Sequence, residues 1–234
     1  MKIKAALIAV SAAALLAACS QPADTAGAPT TDAASTAPVA LKATSGVYVM
    51  DPTHASLQWS LPHLGISNYT ARFNKFDAKI TLDTANLANS TVEATIDPAS
   101  VDANYQGDYV GTHAVTGFKS WSEDIAKNKN FLNATAFPQI TFKSTKVELT
   151  GTRTAKVTGD LTFLGVTKPV TLDATFNGDL EKHPFVPAPA IGFSAEGKFK
   201  RTDFGMALGP VGDEVTIRFD AEFIKEVAPA APAV

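Results

Sequence analysis

Cysteine is nearly absent from this chain: there is one in 234 residues, Cys19. That excludes an internal disulfide framework and any multi-cysteine zinc or iron–sulfur site, although four histidines leave a histidine-based site open by composition. An excess of either charge is also missing, with 20 Lys and Arg against 23 Asp and Glu, so there is no electrostatic footprint for a nucleic acid. No uninterrupted apolar run approaches the ~20 residues that a membrane-spanning helix requires. The signatures of common catalysts are lacking too: no G-x-S-x-G elbow, no H-E-x-x-H and no phosphate-binding glycine loop. What is abundant is apolar material. It makes up 45% of residues, 14 of them Phe, against 18% charged, too much for a chain disordered throughout.

The first residues read as a processing signal. Lys2 and Lys4 form a positive start, and Ala5 to Ala18 is an apolar stretch broken only by Ser11. It ends in Leu16-Ala17-Ala18-Cys19, which resembles a bacterial lipoprotein box, where the cysteine thiol receives a diacylglycerol and becomes the first residue after cleavage. The alternative is an ordinary secretory peptide with a chance cysteine. The lipoprotein reading is preferred because the single thiol stands where that chemistry needs it, and several acyl chains give stable anchoring. Ser20 after the cysteine points to the periplasmic side of the outer membrane. Residues 19–45, rich in Ala, Thr, Pro and Ser, read as the lipidated Cys and a disordered tether, and 227–234 as a disordered tail. The folded part is then 46–226.

Within that part, apolar and polar residues alternate with period two. Phe76, Ala78, Ile80 and Leu82 form one such row, and Val170, Leu172, Ala174 and Phe176 another. Val215, Ile217, Phe219, Ala221 and Phe223 make the cleanest. Turn signals at Asn177-Gly178, Gly151-Thr152 and Gly165-Val166 punctuate eight or nine strands of even length. One short helix is expected near Trp121 to Lys127, from the spacing of Phe118, Trp121 and Ile125 and a Ser120/Glu123 capping box. It lies in a long connection from Val101 to Ala136, of a length usually functional or lid-like. An all-β antiparallel sheet with one oily face must close into a barrel or fold into a sandwich, and periodicity leaves both open.

Several blocks, in order, resemble the YceI-like family of polyisoprenoid-binding, lipocalin-like barrels. The first holds Tyr48, Asp51-Pro52, His54, Trp59 and His63-Leu64-Gly65-Ile66-Ser67. A second is Phe137-Pro138-Gln139-Ile140-Thr141-Phe142, and the most diagnostic is Gly159-Asp160-Leu161-Thr162-Phe163-Leu164-Gly165-Val166-Thr167-Lys168-Pro169-Val170. A fourth joins Gly192-Phe193, Arg201-Thr202-Asp203-Phe204-Gly205-Met206 and Val211-Gly212-Asp213-Glu214. The chain departs from the family at Asp124 to Asn133, where a charged, histidine-bearing segment is replaced and only Phe131-Leu132 survives. The resemblance implies a closed antiparallel eight-stranded barrel, no enzymatic activity and no cofactor. It implies a carrier for an isoprenoid lipid of polyprenyl or quinone type. Oligomeric state is left open, a homodimer included.

On that reading, the ligand-binding candidates are large residues at inward phases: Trp59, Leu61, Phe73, Phe76, Phe142, Leu161, Phe163, Phe193, Phe204 and Met206. About half are expected to touch a ligand and the rest to be ordinary core. The rival class, a lipid-modifying enzyme, would draw on His54 and His63 as metal ligands or proton carriers at a barrel mouth. The simpler reading makes them turn-shaping residues beside Pro52 and Pro62, and no metal site is assigned. His113 and His183 are read as solvated, Asp51, Asp160 and Asp203 as turn-capping carboxylates. Lys168 and Arg201 are read as exposed charges at strand ends or, less favoured, contacts to a diphosphate. A third class is an envelope stress-response protein whose cavity is incidental.

Overall fold

A computed structural model describes residues 37–227 apart from Asn104 and Pro210. The signal at 1–18, Cys19, the tether as far as residue 36 and the tail from 228 lie outside the described residues. Ten strands are formed: β1 (Gly46–His63), β2 (Ser67–Phe73), β3 (Phe76–Leu82), β4 (Thr91–Ile96), β5 (Val101–Asp102), β6 (Ile140–Leu149), β7 (Thr154–Phe163), β8 (Val166–Leu180), β9 (Ala190–Lys200) and β10 (Glu214–Lys225). Two short helices, α1 (Tyr109–His113) and α2 (Trp121–Lys127), lie between β5 and β6.

Eight of the strands close a ring in the order β1-β3-β4-β6-β7-β8-β9-β10, and the β10–β1 pairing seals it. All pairings are antiparallel, so closure removes every free edge within the ring. The barrel chosen on family resemblance is therefore the fold, and the sandwich is not. Strand lengths are far from even, running from 2 residues in β5 to 18 in β1. The long β1 explains the surplus: its first residues pair with β3, while Leu57–His63 pair with β2, which in turn carries β5.

Each alternating row in the sequence is an inward row. Phe76, Ala78, Ile80 and Leu82 face the interior beside Val92, Ala94 and Ile96, while Lys79, Glu93 and Lys143 form an exposed ion-pair ladder outside. Two bulges shift that phase. In β1 the register jumps between Met50 and Ala55, so Tyr48 and Met50 are buried before it and Leu57 and Leu61 after it. The excursion is the Asp51-Pro52-Thr53-His54 segment, and Pro52 is tolerated there because no ladder N–H is required. In β6 the shift falls between Ser144 and Lys146, moving the inward set from Ile140 and Phe142 to Val147 and Leu149.

Turn chemistry holds in part. Leu164 and Gly165 both have positive φ, 51° and 74°, the backbone of a two-residue hairpin whose twist matches its strands. Leu64 and Gly65 repeat it, at 53° and 72°, between β1 and β2. Asn177-Gly178 is not a turn: β8 runs through it to Leu180, with a register shift between Phe176 and Gly178. A glycine in a strand pattern marks a bulge as readily as a turn, and here the bulge wins.

The folded part also begins earlier than Gly46. Val39 N–H donates to Thr152 O at 2.9 Å, and the Lys42 and Ala43 amides both donate to the Asp179 carboxylate. Ala43 is buried with Tyr48 and Phe223, so residues 39–45 are a strap across one barrel end rather than part of a tether. Three hydrogen bonds and Leu41, packed against that same cluster, offset the entropy that composition alone assigned to disorder.

Candidate functional site

The ring encloses a cavity of about 630 Å³, within the range of pockets that hold a small organic ligand. Its lining runs from Pro38, Val39 and Leu41 in the strap to His113, Trp121 and Val211 at the opposite end, so it follows the barrel axis. Between those ends the wall is Leu, Ile, Val, Ala and Phe from every ring strand. Such a wall offers chiefly apolar contact area.

The far end is covered by the Val101–Ala136 connection. Ser120 caps α2, its Oγ accepting from Glu123 N at 3.1 Å, and Glu123 Oε2 accepts from Lys119 N at 2.9 Å. The expected helix is thus present with its cap, and α1 is an additional one. α1 starts on Asp108, whose carboxylate accepts from Gly111 N. Together the two helices direct Tyr109, His113, Trp121, Asp124 and Ile125 at the cavity. Tyr105 hooks this cover to β2, its hydroxyl accepting from Thr70 N at 2.7 Å and donating to Thr70 O at 2.9 Å.

Nine of the ten candidate residues line the cavity: Trp59, Leu61, Phe73, Phe76, Phe142, Leu161, Phe163, Phe193 and Met206. Phe204 does not. It sits in the turn after β9, only 2% exposed, with its ring against Phe163 and Phe199 at 5.6 and 5.2 Å, and so backs the wall. Period-two counting cannot phase a residue on a turn, which is why Phe204 was misplaced. Sequence reasoning passed over Tyr69, Tyr109, Trp121, Phe131 and Phe199, all of which border the cavity. Phe199 lay in reach, two places after Gly197 on the Phe193 row; the helix residues did not, because nothing local says which strand end a connection covers.

The polar candidates are redistributed. His54 and His63 are not brought together as a pair. His54 is exposed on the β1 bulge, its Nδ1 2.9 Å from Asp51 Oδ2, whereas His63 ends β1 and borders the cavity. Thr53 and His54 hydrogen-bond the Asp51 carboxyl and hold it down to about 2, while Asp51 raises the His54 imidazole. Neither His113 nor His183 is solvated as expected: His113 stacks on Tyr109 at 4.8 Å and lines the cavity, and the His183 side chain is 11% exposed, 3.9 Å from Glu222. Lys168 is exposed on β8.

Arg201 is not a surface charge. It is 2% exposed, and its Nε, Nη1 and Nη2 donate to the carbonyls of Gly212, Ala207 and Val211. It borders the cavity while clamping the loop that closes beside His63. Asp124 is the other buried charged residue among the described residues, 8% exposed and accepting from Asn128 Nδ2 at 2.7 Å. No group of three or more His, Cys, Asp or Glu among the described residues is arranged to hold a metal ion.

A small closed barrel with a largely apolar interior and covered ends is an architecture able to hold a small ligand. A family model, the YceI-like domain, matches residues 48–223, and the chain belongs to the YceI-like family. A UPF0312 protein of Shewanella denitrificans is 37% identical over 191 residues, covering 81% of this chain and 92% of that protein. The crystal structure of Campylobacter jejuni YCEI protein superposes with a TM-score of 0.57 at 30% identity, over 71% of this chain and 91% of that one. A polyisoprenoid binding domain from Saccharophagus degradans, implicated in plant cell wall breakdown, shares the fold at a TM-score of 0.53 and 11% identity, over 78% and 99%.

Proposed function

We propose that the protein is a non-enzymatic carrier that encloses the chain of an isoprenoid lipid, of polyprenyl or quinone type. It would work at the periplasmic side of the bacterial outer membrane, held there through acyl chains on Cys19. One observation carries the ligand class: the axial cavity of about 630 Å³ is walled predominantly by aliphatic and aromatic side chains. Such a wall rewards hydrocarbon and little else. Burying about ten methylene-sized groups at roughly 0.8 kcal/mol each is worth about 8 kcal/mol, a micromolar affinity before ordering costs. The polyisoprenoid-binding description of the Saccharophagus degradans domain agrees with that chemistry.

Organic extraction of the purified full chain, followed by mass spectrometry, tests the reading. A stoichiometric isoprenoid is expected, and Phe142→Arg protein that still melts cooperatively should lose it. An empty protein that takes up no isoprenoid on challenge overturns the carrier reading and favours an incidental cavity. The anchor is tested separately: Cys19→Ser should abolish labelling with radioactive palmitate and release the protein from the membrane fraction.

A further inference from the structure

Two buried side-chain polar atoms among the described residues have no hydrogen-bond partner, Trp59 Nε1 and Tyr69 OH. They belong to neighbours. Trp59 pairs with Ala71 and Leu61 with Tyr69, which places Trp59 and Tyr69 on one inward face of β1 and β2, rings stacked at 6.0 Å. Both residues line the cavity at the end covered by the helices. An orphaned buried donor costs about 1–3 kcal/mol, so two side by side at one end of an oily cavity call for a partner that arrives with a ligand.

We propose that Trp59 and Tyr69 form the polar end of the site and donate hydrogen bonds to an uncharged oxygen, a hydroxyl or carbonyl, at the head of the bound lipid. This rests on the carrier reading and adds the chemistry of the head group. The indole N–H can only donate. The Tyr69 phenol is kept in its donor form, since burial pushes its ionisation up and the Tyr105, Asp124 and Tyr109 groups add to this. Both polar atoms are covered by neighbouring side chains, so binding requires the Tyr69 ring, which borders the cavity, to turn toward the arriving oxygen.

The surroundings exclude an anionic head. The buried Asp124 carboxylate lines the same end, and no Lys or Arg pairs with it among the described salt bridges. Arg201, the buried arginine of the wall, donates through all three nitrogens to three carbonyls, and Arg153, the other arginine of the lining, donates to the carbonyls of Phe176 and Asn177. A diphosphate would meet the Asp124 carboxylate, a desolvated like-charge encounter that is strongly unfavourable, with both arginines of the wall already engaged by carbonyls.

Calorimetric titration of the full chain with geranylgeraniol, geranylgeranyl diphosphate and the oxygen-free isoprenoid squalene, each presented in the same detergent, provides the test. The alcohol should bind at least tenfold tighter than the diphosphate. Trp59→Phe with Tyr69→Phe should weaken the alcohol about tenfold more than it weakens squalene, as expected for two neutral hydrogen bonds. A melting temperature of the empty double variant at or above that of the parent shows that packing is intact, because orphaned polar atoms have been removed. Equal loss for squalene and alcohol, no loss for either, or a preference for the diphosphate overturns the head-group site. Failure of the parent to bind any of the three overturns the carrier reading instead.

Discussion

At the residue scale, Arg201 is the largest fully buried side chain among the described residues, and its charge is met by carbonyl dipoles rather than by a carboxylate. That arrangement fixes the loop from Ala207 to Gly212, which no strand holds except at the Val211–His63 bridge. Replacing Arg201 with Met should destabilise the protein by about 2–4 kcal/mol in urea unfolding, since three carbonyls lose charged donors. Lys should not restore it, because a compact ammonium cannot span three separated acceptors as the planar fork does. At the β1 bulge, Asp51 and His54 make a pH-dependent pair. Asp51 is depressed to about 2, so its contribution is present above the ordinary carboxylate value near 3.8 and lost as pH falls toward 2. His54 is raised by Asp51, so its contribution is present below 6.5 and lost as pH climbs through the folded value. Both act together between roughly pH 4 and 6.5. In an NMR titration, Asp51→Asn should return the His54 midpoint toward 6.5; an unmoved midpoint would show that the pair does not set it.

At the element scale, the strap and the helices of the cover lie outside the strand ladder and are held largely by side-chain hydrogen bonds. The strap hangs on Asp179, which receives two consecutive amides. Asp179→Ala should remove hydrogen-exchange protection at Lys42 and Ala43 while protection within β8 and β9 persists. Loss of protection throughout would mean that the carboxylate supports the barrel rather than the strap. The cover depends on the α2 cap: Ser120→Ala should cost about 1 kcal/mol and speed exchange across Trp121–Lys127. Gly165 shows why the β7–β8 turn reads as it does. A Cβ there would lie 2.8 Å from the Phe137 ring on a backbone at φ +74°, so the turn is bound to glycine by shape and by contact. The Asn177-Gly178 pair carries the same local signal and yet continues a strand, because β9 supplies partners on both sides of the bulge.

At the scale of the whole molecule, the axial cavity leaves the side chains that line it without contacts on one side, and a chain bound there would supply them. A ligand that binds only the folded state adds RT ln(1 + [L]/Kd), about 2.7 kcal/mol at a hundredfold excess over Kd. Lipid-free protein should therefore melt at a lower temperature than the protein as purified with its lipid. Adding geranylgeraniol back should raise the midpoint in proportion to the logarithm of its concentration. A midpoint indifferent to extraction and to added lipid would mean that the cavity is not a binding site.

Local sequence determined the inward face of nearly every strand, the helix at Trp121–Lys127 with its cap, and the glycine turn at Gly165, because period and turn chemistry act over a few residues. It also nominated most of the cavity wall, since an inward residue of a closed ring must face the axis. Closure itself, the strap over one mouth and the cover over the other were decided only in three dimensions. Closure and the strap depend on partners more than a hundred positions apart, such as Tyr48 with Lys225 or Ala43 with Asp179, and the cover on Tyr105 meeting Thr70, 35 positions away; no periodicity encodes such a meeting. The same is true of Trp59 and Tyr69: their indole and phenol are ordinary in sequence, and only the fold buries both polar atoms without a partner in the wall of the cavity.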